Sequence, residues 1–76
     1  MSSTILSTLK PGEKGKIIRV DGESELKRRL ATLGFRCGAT VGVLYSALLG
    51  DPKTYLICGC QVSLRKSEAK HIFISS

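Results

Sequence analysis

From Thr40 to Leu64 apolar side chains recur at every second position, a period that a pleated strand satisfies and a helix does not. Val41, Val43 and Tyr45 alternate with Thr40, Gly42 and Leu44; Tyr55 and Ile57 alternate with Leu56 and Cys58; Val62 and Leu64 flank Ser63. Gly50-Asp51-Pro52 and Gly59 cut this stretch into short strands, because these residues supply turn geometry that a strand interior rejects. A chain of 76 residues buries only about 60% of the surface exposed by its unfolded form, so nearly every one of these apolar positions is needed for packing. With 42% apolar and 24% charged residues the composition is that of a folded globular protein, and a single domain over residues 1–76 is expected.

One segment follows a different period. Leu26, Leu30 and Leu33 stand at i, i+4 and i+7, one stripe of an amphipathic helix. Ser24 is placed to cap it, Glu25 favours its positive end, and Gly34 suits the left-handed residue that stops it. Lys27, Arg28 and Thr32 then lie on the outward arc, with Arg29 at its margin. Before the helix, Leu9-Lys10-Pro11-Gly12 predicts a type II turn leading into a strand over Gly15–Val20. Ile17, Ile18 and Val20 do not alternate strictly, which predicts burial on both faces or a bulge. After the alternating strands, Ser67-Glu68-Ala69 predicts one helical turn, and His71 to Ile74 a last strand with Ile72 and Ile74 on one face. The expected sheet is small, antiparallel, strongly bent and closed on itself.

Several functions are excluded by what the chain lacks. No apolar stretch approaches the roughly 20 residues that span a bilayer, and no continuous apolar run opens the chain, so neither a membrane helix nor a cleaved signal is expected. Three cysteines, an odd number, argue against a disulfide framework and for reduced thiols in the cytoplasm. Gly12-Glu13-Lys14-Gly15-Lys16 lacks the spacing and hydroxyl of a phosphate loop and leads into a strand, so it is a turn. The single histidine, His71, has no cysteine or serine that the sequence pairs with it, and Asp21, Glu23 and Glu25 sit where a helix start attracts acids; no enzymatic activity is expected. The absence of Trp, with two Tyr and two Phe, gives little surface on which nucleotide bases can stack.

Two features remain as candidate sites. In an extended chain Cys58 and Cys60 place their sulfurs on one face about 6.6 Å apart. With Cys37 or His71 added they make a soft-ligand set for zinc or ferrous iron, although structural sites favour Cys-x₂-Cys spacing and cysteine is also a common core residue. The loop Ala47-Leu48-Leu49-Gly50-Asp51-Pro52 carries two leucines beside a turn, where they either fold back over the sheet or stay exposed as a contact surface. The net charge of +6 suits an acidic protein surface, an anionic leaflet or nucleic acid.

Taken together, Leu9-Lys10-Pro11-Gly12, the run from Glu25 to Phe35 ending in Gly38, the loop from Ala47 to Pro52, and Gly59 followed by Val62-Ser63-Leu64-Arg65-Lys66-Ser67-Glu68-Ala69 resemble the FeoA family, the ferrous iron transport protein A. The resemblance covers residues from Leu6 to Ile74. It implies a mostly β fold, a small SH3-like β-barrel with one α-helix inserted after the first strand. It also implies a cytoplasmic accessory protein of bacterial ferrous iron uptake that binds and modulates the cytosolic GTP-binding region of the FeoB membrane transporter. Such a protein is peripheral to the inner membrane through its partner, performs no chemistry itself and requires no cofactor. The expected partner-binding surface combines Lys27 and Arg28 with Leu48, Leu49, Gly50, Asp51 and Pro52. Cys37 and Cys60 stand where the family often carries other residues and inherit no role from it. Two alternatives stand beside it: from the residues, a metal-binding chaperone or sensor using Cys58, Cys60 and His71 with ferrous iron or zinc; and, implied by the resemblance to SH3-like domains, a regulator or nucleic-acid-binding SH3-like module, for which no stable nucleic-acid complex is expected.

Overall fold

The computed structural model describes residues 3–75. Six strands, β1 (Ser3–Ile5), β2 (Lys14–Val20), β3 (Thr40–Ser46), β4 (Lys53–Ile57), β5 (Cys60–Leu64) and β6 (Ile72–Ser75), form one antiparallel sheet in the order β1-β6-β2-β3-β4-β5. Helix α1 (Ser24–Leu33) connects β2 to β3, the four-residue helix α2 (Lys66–Ala69) precedes β6, and a 3₁₀ turn over Leu6–Thr8 follows β1. The fold is mostly β with one substantial helix, as expected, but β1 is an additional strand, too short at three residues to show a period in the sequence.

Closure of the sheet by a ladder is not seen among the described residues: β1 and β5 stand at its two edges. The gap between them is bridged by other means. Lys53 on β4 extends its ammonium group to the carbonyls of Ser7 and Leu9, at 2.7 and 2.6 Å, and α2 packs against the 3₁₀ turn. These carbonyls close a turn whose last acceptors have no helical partner, so the side chain supplies the donors a longer helix would have contained.

The predicted irregularity in β2 is a bulge. Ile17 pairs with Ile74 and Arg19 with Phe73, leaving Ile18 as the extra residue; Ile17 is buried and Ile18 exposed. In α1 the cap differs by one residue from expectation. Glu23 occupies the N-cap position with extended backbone, its carbonyl accepts from the Lys27 amide at 3.0 Å, and Ser24 is already helical. Gly34 ends the helix at φ 108°, and the Phe35 amide turns back to the Leu30 carbonyl at 2.9 Å. That reversal drives Phe35 into the core, edge-on to Tyr55 with ring centroids 6.4 Å apart. Leu30, Val41, Val43, Ile57, Leu64, Ala69, Ile72 and Ile74 complete the buried set together with Leu6 and Leu9 from the start of the chain.

Cys58 and Gly59 correct the expectation of a continuous extended segment. Ile57 pairs with Cys60, and the two residues between them both have positive φ, 51° and 79°, which is the geometry of a two-residue type I′ hairpin. Cys58 is therefore a turn residue and Cys60 a strand residue, and their sulfurs do not share one strand face.

Two outcomes test this architecture. Lys53→Met leaves the Ser7 and Leu9 carbonyls without their donor and is expected to destabilise the domain by about 1–3 kcal/mol, read as a lowered urea midpoint at unchanged slope; an unchanged midpoint removes the bridge from the account. Burial, with the nearby Asp51 carboxylate as the lesser cause, pushes the Tyr55 hydroxyl from 10.0 up to about 12. The folded state thus holds this proton to higher pH than the unfolded chain, and the associated stability is complete below pH 10 and lost as pH rises toward 12. Unfolding midpoints measured across that window should fall more steeply for the wild type than for Tyr55→Phe, and parallel profiles would contradict the assignment.

Candidate functional site

The connection between β3 and β4 explains its own exposed leucines. The Gly50 amide donates to the Ala47 carbonyl at 2.7 Å, closing a four-residue turn in which Leu48 and Leu49 are the two corners. Corner side chains project away from the body of a turn, and these two are 99% and 92% exposed. Neither leucine reaches the core, and the adjacent Tyr45 on β3 is also exposed. The Ala47 amide donates to the Pro52 carbonyl at 3.0 Å across the loop, and the Asp51-Pro52 peptide is cis.

Polar contacts fix this loop to the rest of the chain. The Asp51 carboxylate accepts the Lys66 amide at 2.8 Å, and the Glu68 carboxylate accepts the Arg65 amide at 3.0 Å, so the first amides of α2 are satisfied by one acid from the loop and one from within the helix. Glu68 also forms an ion pair with Arg29 on α1. Helix α2 consequently links the loop to α1. Lys27 and Arg28 are exposed on α1, as the helical stripe predicts, but the interactions that reach the loop run through Arg29 and Asp51, two contacts that the sequence does not pair.

The candidate metal donors are distributed differently from expectation. Gly22, which precedes α1, lies against the His71 ring, whereas Gly34, which ends α1, lies against the Cys58 sulfur. A ten-residue helix, about 15 Å long, separates those two points, so the fold does not bring His71 to Cys58 and Cys60. Among the described residues no three His, Cys, Asp or Glu side chains already stand as a set of metal ligands. Instead Cys37, Cys58 and Cys60 all line a groove of about 500 Å³ with Thr32, Leu33, Gly34, Arg36 and Ala39. The Cys37 thiol donates to the Ile18 carbonyl at 3.4 Å and the Cys58 thiol to the Gly34 carbonyl at 3.9 Å. Cys37 joins the other two because the I′ turn folds the β4–β5 hairpin onto the end of α1, a contact that no local signal encodes.

Among the described residues no helix is long and apolar enough to cross a membrane. The chain matches the FeoA domain model over residues 4–76. It is 39% identical over 67 residues to an Fe(2+) transport protein A/Fe(2+) transporter FeoB fusion protein of Porphyromonas gingivalis, an alignment covering 88% of this chain and 8% of that much longer polypeptide. Its fold is similar to the solution structure of an FeoA-like protein from Clostridium acetobutylicum, with a TM-score of 0.89 at 31% identity, covering 99% of this chain and 87% of that one. It is also similar to the zinc-complexed FeoA of Stenotrophomonas maltophilia, described as a prokaryotic SH3 domain protein, with a TM-score of 0.83 at 26% identity over 95% of this chain and 89% of that one. With the family model spanning nearly its whole length and the SH3-like sheet in place, this chain belongs to the FeoA family.

Proposed function

We propose that this chain is a cytoplasmic accessory protein of bacterial ferrous iron uptake that binds the cytosolic GTP-binding region of an FeoB-type transporter and modulates it without performing chemistry of its own. The observation that carries this reading is the Porphyromonas gingivalis relative, in which transport protein A and transporter FeoB are one polypeptide. Fusion holds two modules at high effective concentration, which is useful when they work in contact. Where such a module is not fused to its partner, a surface must achieve this by affinity.

The exposed turn supplies such a surface. Leu48 and Leu49 are adjacent, nearly fully exposed and held on a loop that Asp51 anchors to α2. Burying a leucine is worth about 1.5–3 kcal/mol, so this pair is the natural apolar centre of a contact, with Gly50, Asp51 and Pro52 at its base. Lys27 and Arg28 add exposed positive charge on α1 that suits an acidic partner surface, in keeping with the net charge of +6. Association with the inner membrane then follows from the transporter.

Retention on an immobilised soluble GTP-binding domain of the transporter checks the proposal. Wild type should be retained and Leu49→Asp should bind about tenfold or more weakly, since each 1.4 kcal/mol is a factor of ten. Lys27→Glu with Arg28→Glu should weaken binding chiefly at low salt. Equal retention of wild type and Leu49→Asp would move the contact away from the loop.

A further inference from the structure

Strand β5 ends one side of the sheet, and among the described residues no strand lies beyond it. The hairpin that precedes it fixes which of its backbone groups are used. A two-residue turn makes Ile57 and Cys60 a hydrogen-bonded pair, and such pairs alternate along an antiparallel ladder. Cys60, Val62 and Leu64 therefore direct their amides and carbonyls to β4, while those of Gln61 and Ser63 point away from the sheet. The next residue in that row, Arg65, is already satisfied. Its amide donates to the Glu68 carboxylate at 3.0 Å, and its carbonyl accepts from the Glu68 and Ala69 amides, both at 2.9 Å. Among the described residues no hydrogen bond from another element reaches the backbone groups of Gln61 and Ser63.

Exposed edges are ordinarily blunted by brevity, charge, proline or a bulge. The other edge, β1, is three residues long. By contrast β5 has five, Cys60-Gln61-Val62-Ser63-Leu64, with neither charge nor proline, and its ladder with β4 runs without a register shift. The bulges lie instead in the β2–β6 and β3–β4 ladders. We propose that the β5 edge binds an extended acidic segment of a partner protein, which adds to the sheet as a further strand through the backbone groups of Gln61 and Ser63. This contact goes beyond the one at Leu48 and Leu49 and does not depend on it.

Charge around the edge sets the sign of the partner. Arg65 and Lys66 follow β5 directly, and Arg36 lines the groove that Cys60 lines at the start of the strand. The acids beside Arg65 and Lys66 are engaged within the chain, Glu68 by the Arg65 amide and Arg29, Asp51 by the Lys66 amide. No Asp or Glu stands in any of the six strands. Positive charge thus flanks both ends of the edge, which attracts a segment carrying Asp or Glu and repels a second copy of this chain. Pleating sets the remaining chemistry. Val62, half-buried against the core, and Cys60 share one face of β5, so an added strand lays alternate side chains over Val62 and into the groove of about 500 Å³ beside Leu33, where apolar residues fit. Its other residues lie with Gln61 and Ser63 on the exposed face. The segment is therefore about as long as β5, alternately apolar and polar, with acids toward its ends.

The probe is a phage-displayed library of random octapeptides selected on the reduced full chain, with recovered peptides resynthesised and titrated by fluorescence anisotropy. Recovered sequences should alternate apolar and polar residues and be rich in Asp and Glu. Gln61→Pro removes one outward donor and sets a ring on the edge while sparing the bonds to β4, so it should weaken these peptides about tenfold. Leu49→Asp should bind them as wild type does. Hydrogen exchange on the wild type reads the same edge without any variant that must fold. In the chain alone the Gln61 and Ser63 amides should exchange fast and the Val62 amide slowly, and saturating peptide should slow the first two. Recovery of no peptide, or of basic or proline-rich ones, would overturn the proposal, as would equal affinity in Gln61→Pro, loss of affinity in Leu49→Asp, or Gln61 and Ser63 amides still fast in the complex. Slow exchange of those two amides in a chain that sediments as a dimer would place a second copy on the edge and equally overturn it. None of these readouts involves the transporter, so they leave the docking reading to its own experiment.

Discussion

The ladder that places β6 between β1 and β2 is the contact on which the rest of this fold depends. It joins residues 72–75 to residues 16–20 on one side and 3–5 on the other, closing loops of more than fifty residues. Such closures lose chain entropy that local structure cannot recover, and here the return is burial of Ile72 and Ile74 against Ile17. With β6 in place, α2 is delivered to the 3₁₀ turn, and both ends of the described chain become part of one sheet. A domain this small has no second layer to absorb an error in that pairing.

Polar side chains then do what a larger core would do by packing. Lys53 satisfies carbonyls near the start of the chain, Asp51 satisfies an amide of α2, and Glu68 both caps α2 and pairs with Arg29. These contacts carry a functional consequence. They hold the β3–β4 loop against α2 while leaving its two leucines at the corners of a turn, so the apolar surface is offered on a positioned element. The same economy operates at the far end of α1, where the Gly34 stop buries Phe35 and leaves Leu33, 38% exposed, beside the cysteine groove.

Much of this was legible in the residues. The stripe of Leu26, Leu30 and Leu33 gave α1 and Gly34 gave its end, because helix periodicity and left-handed caps are properties of a few consecutive residues. The broken alternation at Ile17–Ile18 marks an irregular strand, buried on both faces or bulged, and the pairing shows the bulge; the motifs from Leu9 to Ala69 point to the family. β1 was missed because Ser3–Ile5 is too short to display a period, and its strand identity comes from β6. Cys58 was misassigned because alternation continues through Ile57 and only the pairing of Ile57 with Cys60 reveals the turn. The loop residues of the candidate contact surface were identifiable, but not that both leucines escape the core.

The sequence by itself determined a small, basic, mostly β chain with one helix, free cysteines and membership of an iron-transport family. Each of these rests on composition, on short-range periodicity or on the order of motifs along the chain. Only the tertiary structure decided that the sheet leaves β1 and β5 as edges, that His71 and the cysteines lie toward opposite ends of α1, and that Cys37 shares a groove with Cys58 and Cys60. The physical reason is common to all three. Which residues meet across dozens of positions is set by strand pairing and by the burial it secures, and neither is written in any local stretch of the chain.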